Sequence, residues 1–168
     1  DAGYYGAIFS SQRFQPLWDM FAWFNRRGLS DNVFLNFMGP GPEWMGGGNL
    51  TAGMEREWAE TITALLLYAR EKRGLKFHLA APDNEPDIRN EGIHMEAEQY
   101  ARSLHELSLR LDASGLGDLR FVAPDRAGGG TGYLPELLND PVIMGKLAHF
   151  GMHSYSDNGG GSKGVESF

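Results

Sequence analysis

A chain of 168 residues is long enough to bury a core and falls within the usual size of one domain. With 42% hydrophobic and 22% charged residues it has too many apolar side chains to stay disordered. A net charge of -7 excludes the clustered basic surface that a nucleic acid needs, and the absence of cysteine excludes disulfides, thiol nucleophiles and thiolate metal sites.

In chain order, short apolar runs suited to strands buried on both faces alternate with stretches of helical period. Pro16 to Arg27 places Leu17, Phe21 and Phe24 on one face and ends at Gly28, which predicts a helix. Val33 to Phe37 predicts the first strand. Met54 to Arg73 carries Trp58, Ile62, Leu65, Leu66 and Ala69 at spacings of three and four and stops at Gly74. A second strand is expected over Phe77 to Ala81, then a helix over Ala97 to Ser114 with Ala101, Leu104, Leu107 and Leu111 inward. Leu119 to Ala123 is the third strand. Tyr133 to Asn139 forms a short helix that Pro141 interrupts or restarts, and His149 to Met152 is the fourth strand.

Strands that alternate with helices pair in parallel through right-handed crossovers, in either an open sheet or a closed barrel. Long loops rich in Gly and Pro follow the strands at Gly39 to Gly53, Pro82 to Glu91 and Ser154 to Gly164, whereas the loops before the strands are short. Barrel enzymes carry function on the loops after their strands, so this asymmetry favours the barrel. No Gly-x-Gly-x-x-Gly or Walker-type loop follows a strand, which disfavours a nucleotide ligand.

The sharpest chemical feature is Pro82-Asp83-Asn84-Glu85-Pro86-Asp87, directly after an apolar strand. A carboxyl group buried there has its proton affinity raised and can act as an acid, and the adjacent Asn can hydrogen-bond a substrate hydroxyl. A solvated turn is the bland reading of the same residues. A calcium loop fits poorly, because the glycine turn and the spaced terminal Glu of an EF-hand are missing. His78, His94, His105 and His149 show no metal-ligand spacing, so neither metal nor cofactor is expected.

Asn84-Glu85-Pro86 resembles the fourth-strand signature of the clan A glycoside hydrolases, retaining enzymes built on a (β/α)8 barrel. Val33 to Met45, reading VFLNFMGPGPEWM, resembles the third strand and following loop of the glucosylceramidase-like and xylanase-like members of family 30. His153-Ser154-Tyr155 resembles the His-x-Tyr at the end of the sixth strand. The resemblance implies a partial barrel, strands 2 or 3 to 6, in one catalytic-type domain over residues 1–168. It also implies Glu85 as acid/base, Asn84 at the sugar 2-hydroxyl, His153 and Tyr155 in the pocket of the reacting sugar, and Trp44 as a stacking platform.

The clan's nucleophile is a second Glu at the end of the seventh strand, and no such strand is legible here. Glu166 has no apolar strand before it and resembles the start of the sixth helix, so it does not fit the nucleophile. The domain is therefore expected to stop before strand 7, and the chain by itself to be inactive. The expected partner is an oligosaccharide, polysaccharide or glycoconjugate, with no nucleic acid and no membrane span, and the expected location is secreted or extracellular. A carbohydrate-binding barrel without catalysis is the main alternative, and an open α/β sheet that binds another small molecule is a third.

Overall fold

The structure is a computed structural model that describes residues 2–89, 91–128 and 132–153. Among these residues, six helices and four strands follow one another: α1 (Ala2–Phe9), α2 (Gln15–Arg26), β1 (Phe34–Asn36), α3 (Glu55–Glu71), β2 (Leu79–Ala81), α4 (Ala97–Ala113), β3 (Arg120–Val122), α5 (Leu134–Leu138), α6 (Pro141–Met144) and β4 (Leu147–His149). The four strands form one parallel sheet in the order β1-β2-β3-β4, as connected βα units dictate.

The two long helices form where the apolar period predicts them. Trp58, Ile62 and Leu66 of α3 and Leu104, Leu107 and Leu111 of α4 are buried in one core cluster with Phe77 and Phe121 of the sheet region. α3 ends on Gly74, whose φ of 63° is a left-handed geometry that costs a residue without Cβ nothing. Pro141 restarts the chain as α6 after α5, where the Asp140 carboxylate caps the backbone N–H groups of Val142 and Ile143 at 2.8 and 3.2 Å.

Two features differ from the sequence expectation. The fourth strand is Leu147–His149, not His149 to Met152. Lys146 hides this strand in the sequence, because a lysine reads as solvent-facing. Here it is only 5% exposed, and its ammonium donates to Asp112 at 2.5 Å and to the Gly117 carbonyl at 2.7 Å. Its own carbonyl accepts from Phe121 N at 2.7 Å and so starts the ladder with β3. The helix α1 has no counterpart in the sequence expectation. Its Tyr5 and Phe9 stack at 5.8 Å, and Phe9 meets Tyr68 of α3 edge-on at 5.6 Å, so aromatic packing rather than a polar-apolar stripe holds it.

Far from the strands' carboxyl ends, Arg70 of α3 clamps the approach to β2. Its guanidinium makes two bonds to Asp118, at 2.6 and 2.7 Å, and a third to the Phe77 carbonyl at 2.7 Å. The Arg70 hydrogen bonds hold the Asp118 carboxyl down to about 2. A carboxyl whose value falls on folding stabilises the fold above its unfolded range and loses that contribution as pH falls through the folded value. Thermal unfolding should therefore show stability dropping between about pH 4 and pH 2. The Asp118→Asn variant should be less stable at neutral pH and flatter across that window, and an unchanged slope would mean that the clamp is idle.

Candidate functional site

The backbone at the strands' carboxyl ends remains tied after the sheet itself ends. Phe37 N donates to the Ala81 carbonyl at 3.1 Å and Asn84 N to the Phe37 carbonyl at 2.9 Å. Glu85 N then donates to the Asp125 carbonyl at 2.9 Å, and His153 N to the Arg126 carbonyl at 2.7 Å. Four segments that are far apart in sequence are thereby laid side by side as a platform.

On that platform Glu85 is 4% exposed, Asn84 3% and Asp125 6%. The His153 ring lies between two carboxylates. Its Nδ1 meets Glu85 Oε1, and its Nε2 lies 3.2 Å from Asp125 Oδ1. Asn36, the last residue of β1, donates from Nδ2 to Asn84 Oδ1 at 3.0 Å and to Asp125 Oδ2 at 3.3 Å. With its Oδ1 engaged there, Asn84 keeps its Nδ2 as a donor.

Glu85 and Asp125 have φ of 51° and 55°, and they are the non-glycine residues with positive φ among the described residues. Left-handed backbone is unfavourable for a residue with a Cβ, and such strain collects at functional sites. Both strained residues are the acids that meet His153. Burial pushes the Asp125 carboxyl up, against the pull of His153 and Asn36, and burial raises Asp83 well above the usual carboxylate range. Asp83 Oδ1 accepts from Ile93 N at 2.9 Å and so pins the far end of its own loop.

The same loop is anchored from beneath. The Pro86 carbonyl accepts from Met95 N at 3.1 Å and lies 2.8 Å from His94 Nδ1. Asp87 accepts from Ala127 N at 3.0 Å and pairs with Arg126 at 3.3 Å, which ties the loop after β2 to the loop after β3. His105 pairs with Asp140 at 2.7 Å, and His78 lies near Asp31 and Asp118, so these rings have local partners. Among the described residues no group of three His, Asp or Glu side chains is placed to hold a metal ion.

Of the residues singled out from the sequence, Glu85, Asn84 and His153 come together. Trp44 does not join them directly. It lies on a 3-10 turn over Glu43–Met45, 58% exposed, and lines a cleft of about 340 Å³ with Tyr4, Phe37, Met38, Pro82 and Asp83. The cleft reaches Asp83 but is not lined by Glu85 or His153. Tyr155 and Glu166 lie outside the described residues.

The architecture matches part of a larger, known one. The family 30 subfamily 8 xylanase Xyn30A from Clostridium acetobutylicum superposes with a TM-score of 0.70 at 17% identity, over 90% of this chain and 40% of the xylanase. This chain has the fold of a partial (β/α)8 barrel. The endo-beta1,6-glucanase BT3312 is similar with a TM-score of 0.54 at 21% identity, and a conserved exported protein from Bacteroides fragilis with 0.53 at 19%. Each of these two alignments covers 64% of this chain and 25% of the other. The likeness is one of fold, and the chain spans less than half the length of these proteins. No family model and no curated protein matches it.

Asn36, Asp83 and Asp125 belong to the site, and sequence reasoning alone does not single them out. A clue to the two acids is present. The triplet Ala-Pro-Asp occurs twice, as Ala81-Pro82-Asp83 and Ala123-Pro124-Asp125, each time where a strand ends. Asn36 carries no such mark, since one Asn within an apolar run is indistinguishable from a turn residue.

Gly92 closes the loop over this site. A Cβ there would stand 2.2 Å from the Asn84 carbonyl oxygen and 2.2 Å from Asp83 Oδ1. The first of these is backbone and cannot swing away. Gly92→Ala should therefore destabilise the fold by about 1–3 kcal/mol in urea unfolding, as overpacking does elsewhere. Unchanged stability would show that the loop has slack at this point.

Proposed function

We propose that this chain supplies the acid/base side of a retaining glycoside hydrolase, with Glu85 as the catalytic acid/base. The observation that carries the proposal is a buried carboxyl at a strand's carboxyl end, held on strained backbone and touching an imidazole. A barrel places its chemistry at that end of the sheet. The structurally similar xylanase and glucanase support a β-linked polysaccharide or oligosaccharide as substrate.

In this reading Glu85 first gives its proton to the departing glycosidic oxygen, because an alkoxide leaves poorly without one. A second carboxylate, about 5 Å away, attacks the anomeric carbon and forms a covalent glycosyl-enzyme. Glu85, now ionised, takes a proton from water, and the water opens that intermediate. We place the second carboxylate outside the described residues, since the nearby acid Asp125 is already engaged by His153 and Asn36. Asn84 Nδ2 serves as the donor to the sugar 2-hydroxyl, His153 and Tyr155 are assigned contacts to the reacting sugar, and Trp44 offers a stacking face in the neighbouring cleft.

Among the described residues no helix is long and apolar enough to cross a membrane. The likeness to an exported bacterial protein supports a secreted location.

The test is Glu85→Gln in a form of the protein that turns over a natural glycoside. The amide keeps the shape and loses the transferable proton. Turnover should fall about 100-fold to 10,000-fold. Substrate binding should change little, and aryl glycosides with good leaving groups should lose less in the first step. Undiminished turnover of the natural glycoside would remove Glu85 from the mechanism. Hydrolysis by residues 1–168 alone would place the nucleophile within this chain.

A further inference from the structure

The Glu85–His153–Asp125 contact has more structure than an acid/base residue requires. A catalytic carboxyl needs a buried setting and access to substrate, yet here the ring beside it is gripped by a second buried acid. Asp125 in turn is steered by Asn36 through Oδ2, and the Gly151 position crowds it so closely that a Cβ there would lie 3.0 Å from Oδ1. A carboxylate held so firmly, on left-handed backbone, is built to face one particular nitrogen.

We propose that Asp125 is a positioning residue for the acid/base step: through Nε2 it orients the His153 ring, and its charge favours a proton on the contact between His153 Nδ1 and Glu85. This rests on the reading of Glu85 as the acid/base. An ionised carboxylate only accepts, so the ring nitrogen that faces Asp125 carries hydrogen. That leaves Nδ1 toward Glu85, where one proton is shared between ring and carboxyl. When Glu85 protonates the leaving oxygen, this is the proton that departs, and its O–H bonding pair remains on Glu85. The proton taken from water restores it, and the Nε2 proton never leaves.

The surrounding groups leave this role to Asp125, because burial disfavours charge on Asp83 and Tyr100. Asp83 faces the cluster from the loop after β2, and burial raises it well above the carboxylate range. Tyr100 of α4 is buried near both Asp83 and Asp125, and its hydroxyl is pushed up by burial and then by those acids. Asn36 contributes no charge from β1. Arg126, the neighbouring cation, is paired with Asp87 at 3.3 Å. A negative Asp125 therefore favours retention of the shared proton, and removing its charge should release that proton at lower pH.

The experiment is nuclear magnetic resonance of the 168-residue chain with 15N-labelled histidine, titrated through neutral pH, comparing wild type with Asp125→Asn, Asp125→Glu and Glu85→Gln. In wild type at neutral pH, His153 Nε2 should be protonated. In Asp125→Asn the Asn36 amide still donates toward position 125, so the new carboxamide turns its oxygen to Asn36 and its own N–H groups to the ring. Nε2 should then lose its proton, and the midpoint of the His153 titration should move down by about 1–2 pH units. Asp125→Glu keeps the charge and should restore a midpoint close to wild type. Glu85→Gln should retain the Nε2 proton.

An unprotonated Nε2 in wild type, an unmoved midpoint in folded Asp125→Asn, or loss of the Nε2 proton in Glu85→Gln would each overturn the proposal. If Asp125→Asn does not fold, the other two variants and wild type still decide it. Should Glu85→Gln keep full turnover while these shifts occur, the acid/base reading falls and the positioning by Asp125 stands. Unmoved midpoints together with an inactive Glu85→Gln would instead leave the acid/base reading standing and remove the positioning by Asp125.

Discussion

The structure turns on burying acids of like charge at one end of a parallel sheet. Asp83, Glu85 and Asp125 are each less than a tenth exposed and lie on neighbouring loops. A buried carboxylate without partners is strongly disfavoured, and several together repel. The fold meets this cost with donors placed at fixed points: Ile93 N for Asp83, the His153 ring for Glu85 and Asp125, and Asn36 for Asp125. Even with these partners, burial holds the Asp83 and Asp125 carboxyls above the usual carboxylate range.

Those donors and acids come from all four strand ends, which is why the site needs the sheet. Asn36 ends β1, Ile93 lies in the loop after β2, Asp125 in the loop after β3, and His153 in the segment after β4. The backbone ties between Phe37, Ala81, Asn84, Glu85 and Asp125 extend the order of the sheet into what would otherwise be mobile loop. Helices α3 and α4 keep the strands in place from behind through one continuous core, so packing far from the acids sets their spacing. The cleft beside Trp44 lies along the same end of the sheet, shared with the aromatic side chains of α1.

Legibility from sequence followed the kind of force involved. The helices at Gln15–Arg26, Glu55–Glu71 and Ala97–Ala113 were readable because burying one face of a helix imposes a period of three to four residues. Strand existence was readable from short apolar runs, but only three residues of each run lie in a strand, and backbone bonds between the loops continue from there. The start of β4 lies two residues earlier than its apolar run suggests, because Lys146 is buried against an acid 34 residues before it, a pairing that no local pattern reveals. The helix α1 escaped because its burial relies on rings from α3 rather than on its own stripe.

By itself, then, the sequence determined the alternation of strand and helix, the helix stops, and the presence of Asn84 and Glu85 at a strand end, because periodicity, glycine stops and turn chemistry are local. Only the tertiary structure decided that Asn36 and Asp125 join His153 around that Glu. Their separations along the chain, 48 residues from Asn36 to Asn84 and 28 from Asp125 to His153, are closed by parallel crossovers. Which nitrogen of a ring meets which acid depends on the rotation of each strand end relative to the next, and that rotation is a property of the packed sheet rather than of any short stretch of residues.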